Sequence, residues 1–580
     1  MYSQNTASDR EGFLPKAISI LRHGYSKQSF LRDLCSGTTV GIVALPLAMA
    51  FAIASGATPE KGLFTAIVAG FLISALGGSR YQIGGPTGAF VIIVFNIIAK
   101  HGYGGLLLTT MMAGVILLLF GILRLGKLIS YIPYPVTTGF TAGIALLIFS
   151  SQMNDFLGLS LHSVPPDFIE KWQTYITNIN HINITTATLG ILTLAIILGV
   201  RRYIPRIPAP VMAVVAISTL AWACNLPVET IGSRFGGIPQ QLPQFALPEF
   251  SLEKMQLLLP DAITVALLAG IESLLSCVVA DGMTGSRHNA NTELLAQGTA
   301  NIAAAFFGGI PATGAIARTA TNIRAGAYSP VSGMIHAVVL VLFVLFLAPI
   351  AAYIPLAALA GVLVVVAWDM SEIHKFMRLL KAPKSDVAVM CITFGLTVMV
   401  DLTIAVNVGV VLASLLFMQR MSTVTRIKES DQCVTNVSGT TTEPLTNIPA
   451  GVRIYEIDGP FFFGVADRFK SVLDIMEKAP KVFILRMRKV PTIDSTAINA
   501  LELLHNRCKA NGTVLILSGV RQSPMAELHR LGTSTVIGSD NILPDITAAL
   551  ARASDIIEGN PPKETPQRSY RSAKPATSMS

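Results

Sequence analysis

Long apolar stretches divided by short polar ones run from about Leu34 to Met418. Most are long enough for membrane-spanning helices of roughly 20 residues. Past about Arg420 charges become frequent, and short apolar runs alternate with amphipathic ones. The pattern predicts a polar N-terminal segment over 1–30 and an α-helical polytopic membrane domain over 31–422. A polar connector over 423–450, a small α/β domain over 451–556 and a disordered tail over 557–580 follow. In the α/β part, VRIYEI, KVFILRM and TVLILSG read as strands. ADRFKSVLDIME and TAINALELLHNRCKA read as helices.

Two apolar stretches are interrupted alike. IGGPTGAFV (83–91) and FGGIPATGAIART (307–319) place Gly, Pro and Thr where a continuous span would hold helix formers. YIP recurs at Tyr131–Pro133 and Tyr353–Pro355, at nearly the same offset as the Gly/Pro clusters, which suggests an internal duplication. Seven spans per copy would invert the second copy and give fourteen segments. Paired, interrupted helices in inverted repeats are characteristic of secondary transporters. From Pro86 to Lys100 is about 15 residues, roughly 22 Å of helix, against roughly 30 Å of hydrocarbon. An extended stretch and a half-helix complete the crossing, and such backbone must line a cavity or be buried in protein. Two half-helix N-termini meeting near the midplane make an anion site. The alternative is a pair of kinks packed on neighbours.

Composition supports the membrane assignment: 52% of residues are hydrophobic and 13% charged, with mean hydropathy +0.58. The net charge of +9 fits positive residues on one side of the spans better than nucleic-acid binding. With the N-terminus inside, Arg80, Arg124, Lys127, Arg201, Arg202, Arg206, Lys375, Arg378, Lys381 and Lys384 all fall inside, as does the C-terminal domain. The long outer loops carry only Lys171, Arg234 and Lys254. The expected location is the cytoplasmic (inner) membrane, with both termini cytoplasmic. No cleavable signal is expected at residues 1–30. The six cysteines lack CxxC spacing, which argues against a disulfide framework or a metal site. No nucleophile–base pair or cofactor loop appears, so an enzyme is not expected and no cofactor is called for.

Ionisable residues inside the apolar region mark a pathway or a pair. Glu272, in DAITVALLAGIESLLSCVVADGM, is a candidate proton carrier, or else the partner of a buried cation. Arg318, in the second interrupted helix, would reinforce anion binding, unless Glu272 neutralises it. Arg324 is placed near an aqueous edge, Asp401 in a turn, and His336 as a packed, hydrogen-bonded core histidine. Asp281 and His288 border a solvated loop. Asp494-Ser495-Thr496 lies at a strand-to-helix turn. Ser495 and Thr496 are candidate phosphoacceptor or docking residues, and helix N-capping is the competing explanation.

VGIVALPLAMAFAIASG (40–56), GGPTGAF (84–90), IARTATNIRAG (316–326) and the DST of the C-terminal domain resemble the SulP family of anion transporters with a STAS domain, over about 30–555. AGIESLLSCVVADGMTGSRHNANTELLAQG (269–298) is similar to its bacterial C4-dicarboxylic acid transporter branch. The resemblance implies fourteen segments in two inverted repeats, core and gate subdomains, and a dimer. It also implies a substrate site between segments one, three, eight and ten. Carried over, that site comprises Leu47, Phe51, Thr87, Gly88, Ala315, Ile316, Ala317, Arg318 and Thr319, with Glu272 and Ser276 from segment eight. Leu47, Ala315 and Ala317 depart from the glutamine and serines common in eukaryotic relatives, which puts eukaryote-like chloride or sulfate specificity in doubt.

The expected function is proton-coupled uptake of C4-dicarboxylates such as succinate, fumarate or aspartate by alternating access. Glu272 would carry the proton, and the lipid bilayer is the setting. Bicarbonate or sulfate import, coupled to sodium or protons, is the first alternative. The second is a membrane sensor signalling through the STAS domain to a cytoplasmic protein partner; the duplicated interruption favours transport.

Overall fold

The computed structural model describes residues 13–22, 24–126, 133–161, 164–165, 167–204, 208–248, 251–400, 402–429, 434–435, 442–443, 448–462 and 480–559. Two compact units divide it, Met1–Ala413 and Ser414–Ser580, with the boundary inside the last long apolar helix. The expected helix ADRFKSVLDIME, Asp401 and the first YIP tyrosine lie outside the described residues.

Among the described residues, nine helices are long and apolar enough to cross a membrane. Fourteen segments emerge when the shorter ones are added and one kinked helix is divided. In chain order they are α1 (Lys27–Ala54), α2 (Pro59–Leu76), α3 (91–101), α4 (103–122), α5 (Tyr134–Leu157), α6 (Ile184–Tyr203) and α7 (Ala209–Ala223). The second set is α8 (Leu252–Thr284), α9 (Ala290–Phe306), α10 (Ile316–Arg324), α11 (Val331–Ala351), α12 (Leu356–Ser371), α13 (Lys384–Met399) and α14 (Leu402–Val424). Gly102, with φ 69° and ψ 178°, separates α3 from α4; glycine takes that left-handed conformation without a Cβ penalty. α1 starts at Lys27 rather than near Leu34, because Ser26 accepts from the Ser29 amide and caps a polar first turn.

The packing repeats with the sequence. α1 lies on α11 as α8 lies on α4, and α2 lies on α11 as α9 lies on α4. The remaining helices follow suit: α13 packs on α5 and α6 on α12. These reciprocal pairs divide the unit into a core of α1–α4 and α8–α11 and a gate of α5–α7 and α12–α14. Small residues permit the close crossings. Gly114 of α4 meets Gly298 of α9 backbone to backbone, and a Cβ on either would come within 2.7 Å of the other's carbonyl oxygen.

Polar groups in the core hold chain ends in place. Asp33 is fully buried and accepts from the Tyr25 hydroxyl (2.7 Å), the Tyr328 amide (2.6 Å) and the Ser329 amide (2.9 Å). Asn301 of α9 pairs with the backbone of Ala312, donating to its carbonyl and accepting from its amide, both at 2.9 Å. His336 is buried as expected, and by hydrogen-bond geometry neither ring nitrogen has a partner among the described residues. Its neighbours on α1 and α2 at this crossing are Gly41 and Gly70, which bring backbone but no polar side chain.

The second unit contains a five-stranded sheet, β3 (Arg426–Glu429), β4 (Val452–Asp458), β5 (Val482–Lys489), β6 (Val514–Ser518) and β7 (Ile542–Leu543), paired in that order. β3 is antiparallel and the others parallel. Apolar runs such as VFILRM in β5 are buried on both faces, as a parallel interior strand requires. The helix Ser495–Ala510 is capped by Asp494, whose side chain accepts from the Ala497 amide at 2.8 Å. Ser495 and Thr496 are exposed at its start.

Replacing Asn301 by Ala leaves the buried Ala312 amide and carbonyl unpaired, at an expected cost of about 2–4 kcal/mol. Thermal unfolding of the purified protein should show a clearly lowered midpoint for Asn301→Ala, with the exposed control Thr188→Ala close to wild type. An unchanged Asn301→Ala midpoint would reject the anchoring role.

Candidate functional site

After α2 the chain turns through Gly77–Gln82 and extends into β1 (Gly84–Gly85), then Pro86, Thr87 and a 3-10 turn, Gly88–Phe90, that opens α3. After α9 it runs through Gly308–Ala312 into β2 (Thr313–Gly314) and opens α10 at Ile316. β1 and β2 pair antiparallel, Gly84 with Gly314 and Gly85 with Thr313. The Ala315 amide donates to the Ile83 carbonyl at 2.8 Å, and the Ile83 amide donates to Thr319 Oγ1 at 3.1 Å. The interruptions of the two repeats therefore satisfy each other's peptide groups. Gly85 has φ 144°, and a Cβ there would lie 2.7 Å from Arg318 Nη1.

Both half-helices start uncapped. Neither Thr87 nor Ala315 offers a side-chain bond to its first turn. The Thr87 hydroxyl instead donates to Glu272 Oε2 at 2.9 Å. First-turn amides of both half-helices consequently retain donors for a ligand, with the positive ends of the dipoles behind them.

α8 supplies Glu272, half-buried, and Ser276, whose hydroxyl donates to Thr319 Oγ1 at 3.1 Å. From α10, Arg318 and Thr319 are buried, whereas Ile316 and Ala317 are exposed. The exposed stripe of this helix begins at Ile316 and Ala317 and reaches Arg324, while its polar residues Arg318, Thr319 and Asn322 are buried. Ala315 is buried at the helix start. α1 supplies Leu47 and Phe51, both buried. Gly88 is enclosed by Phe51 of the core and by Ile148 and Met370 of the gate: a Cβ at Gly88 would lie 3.3 Å from Phe51 Cε1, 3.3 Å from Ile148 Cδ1 and 2.8 Å from Met370 Sδ.

Arg318 is placed differently from its expected role beside the ligand. It is 2% exposed; one terminal nitrogen donates to the Pro86 carbonyl and the other has no partner. It forms no ion pair with Glu272 within 4 Å. The two side chains instead grip consecutive residues of the first interruption, Pro86 and Thr87.

Sequence reasoning missed the group that anchors the first interruption. Glu293 of α9 is fully buried and accepts from the Gly78 amide (3.0 Å), the Ser79 amide (3.2 Å), Gln82 Nε2 (3.1 Å), Ser273 Oγ (3.3 Å) and Gln297 Nε2 (3.0 Å). Five donors stand in for a counter-cation. The rule that singled out Glu272, an ionisable residue in a span, applies equally to Glu293. Met370 and Ile148 carried no signal, being apolar residues in apolar helices.

The sulfate permease family matches residues 30–393, and the STAS domain matches residues 443–549. The putative sulfate transporter YvdB of Bacillus subtilis (strain 168) is 45% identical over 523 residues, spanning 89% of this chain and 97% of its own. The bicarbonate transporter BicA of Picosynechococcus sp. (strain ATCC 27264 / PCC 7002 / PR-6) is 33% identical over 484 residues, spanning 81% and 85%. Among solved structures, the overall structure of SLC26A9 aligns with a TM-score of 0.82 over 95% of this chain and 94% of its own, at 18% identity, which speaks to fold alone. The branch of C4-dicarboxylic acid transporters does not stand out among these relatives. With its duplicated interrupted helices and its C-terminal α/β domain, this chain belongs to the sulfate permease (SulP) family: it is a multi-pass membrane anion transporter with a STAS domain, and not an enzyme.

Proposed function

We propose that this protein is a proton-coupled importer of C4-dicarboxylates. The carrying observation is the ladder that joins two uncapped half-helix starts, with Glu272 hydrogen-bonded to the first of them. A dianion with a short carbon skeleton suits this place. Each carboxylate has a helix start to meet, and the skeleton has Phe51, Ile316 and Ala317 beside it, the Thr87, Ser276 and Thr319 hydroxyls being engaged within the protein. Sulfate, strongly hydrated, would call for more side-chain donors than this lining offers.

Glu272 is the coupling group in this reading. Its Oε2 accepts from Thr87, one residue before the ligand-facing amides, so the protonation of Glu272 and the position of the first half-helix are linked. A proton taken up with the substrate offsets part of the dianion's charge. The core, carrying both half-helices, then moves against the gate across the contact of Gly88 with Ile148 and Met370. The Lys/Arg-rich connections favour an orientation with both termini in the cytoplasm. A second reading, import of bicarbonate or sulfate, draws on the names of the relatives BicA and YvdB.

In proteoliposomes with an imposed pH gradient, unlabelled succinate and fumarate should compete with labelled succinate, and bicarbonate and sulfate should compete weakly. The reverse ranking selects the second reading. Glu272→Gln is expected to lose pH-driven accumulation by at least tenfold while retaining exchange down a substrate gradient. Proton-dependent uptake at the wild-type level would reject the coupling role. Gly88→Ala inserts a methyl between core and gate and should slow uptake severalfold, with partial recovery when Met370→Ala is added. Full activity in Gly88→Ala would show that this contact does not limit the motion.

A further inference from the structure

The connection between α5 and α6 lies on the face opposite the Arg124 connection, since α5 crosses between them. It folds into an amphipathic helix, Phe168–Thr177, whose buried residues are Lys171 and Tyr175. Trp172 fastens this helix to α5: its indole donates to Ser150 Oγ at 3.0 Å, and its ring packs on Phe149, Phe168 and Tyr175. Lys171 and Tyr175 are four residues apart and share one side of the helix. Each is only 4% exposed.

Among the described residues neither polar tip is paired. Lys171 Nζ has no hydrogen bond and no carboxylate within 4 Å among them; its neighbour is the face of Phe95, 5.7 Å from the ring centroid. Burial pulls its ammonium below the usual lysine range, and Asp167, one turn earlier, offsets part of that effect. The Tyr175 hydroxyl has no partner either. The nearby Asp155 carboxylate is taken by Arg234, at 2.9 Å. The Tyr175 hydroxyl is closed off from solvent, whereas the Lys171 ammonium keeps an opening to it; a hydroxyl buried without a partner is costly unless an anion or water completes it.

Phe95 connects this pair to the site above. It lies on α3, seven residues beyond Gly88, about 10 Å along the helix axis. A Cβ on Gly56, at the end of α1, would meet its ring at 3.5 Å. Lys171 therefore stands over the same half-helix whose start faces the ligand, on the side away from the Lys/Arg-rich connections.

We propose that Lys171 and Tyr175 form a second, outer anion site, a staging position from which a small carboxylate or sulfate-like anion passes along α3 to the half-helix starts. The ammonium supplies charge and a hydrogen bond, and the phenol supplies a second donor. The sequence from outer site to inner site rests on the transport reading above; binding at the outer site does not.

Trp172 reports on binding without transport, because its ring contacts Tyr175 and its backbone adjoins Lys171. In a Trp222→Phe, Trp368→Phe background, sulfate or succinate added at constant ionic strength should change Trp172 emission saturably. Lys171→Met should weaken that titration at least tenfold, Tyr175→Phe about threefold, and Lys171→Arg should keep it. A missing saturable change, or identical curves for Lys171→Met and its parent, would overturn the outer site even if uptake is normal. For uptake, Lys171→Met should raise KM about tenfold for anion presented on the Lys171 face and leave KM on the opposite face unchanged. Equal shifts on both faces, or loss of Vmax alone, would mark the lysine as structural and defeat the staging role.

Discussion

A peptide group inside hydrocarbon must find a partner within the protein, because leaving it bare costs several kcal/mol. Continuous spans meet this demand one helix at a time. The interrupted segments cannot, and each repairs the deficit of the other. Gly84–Gly85 and Thr313–Gly314 form a two-residue ladder, extended by Ala315 to Ile83 and by Ile83 to Thr319. Backbone that would be intolerable at this depth becomes a fixed platform, and amides beyond its ends are left for a ligand. The site follows from that repair.

The platform is fastened from behind by buried side chains. Glu293 gathers the turn after α2 through five donors, Asn301 holds Ala312, and the Thr65 hydroxyl receives the Ile310 amide at 2.7 Å. Arg318 reaches from the second repeat to the first at Pro86. These contacts all lie within the core, so the two half-helices move as one body. Contact with the gate is apolar where Gly88 meets Ile148 and Met370. Apolar surfaces slide without leaving a donor or acceptor unpaired, which suits a boundary that must shift during transport.

Much of this was legible in the sequence, for definable reasons. Hydropathy marked the spans, the Gly/Pro clusters marked the interruptions, and the matching offset marked the duplication. Three of the five strands of the α/β unit followed from their apolar runs; β3, a polar RIKE inside the expected connector, and the two-residue β7 carried no such run. What stayed hidden depends on three-dimensional neighbours. TELLAQG reads as the polar edge of a span, yet Glu293 is fully buried, and three of its five donors come from a turn more than 200 positions earlier. Asp33 sits at the border of a basic segment and gives no hint of the Tyr328–Ser329 amides it collects. Arg318 was singled out by its charge, but whether it faced the ligand or the Pro86 carbonyl depended on a ladder that composition does not reveal.

The ladder also constrains how such a molecule can arise. One strand belongs to each repeat, and the strands run antiparallel, so a single repeat cannot complete its own interrupted segment. A seven-span ancestor would have needed a second copy inserted upside down in the same bilayer, meeting it edge to edge at these two residues. With both copies on one chain the oppositely oriented mate is always tethered, and the two halves carry different chemistry: Glu272 and Arg318 in one, Thr87 and Gly88 in the other.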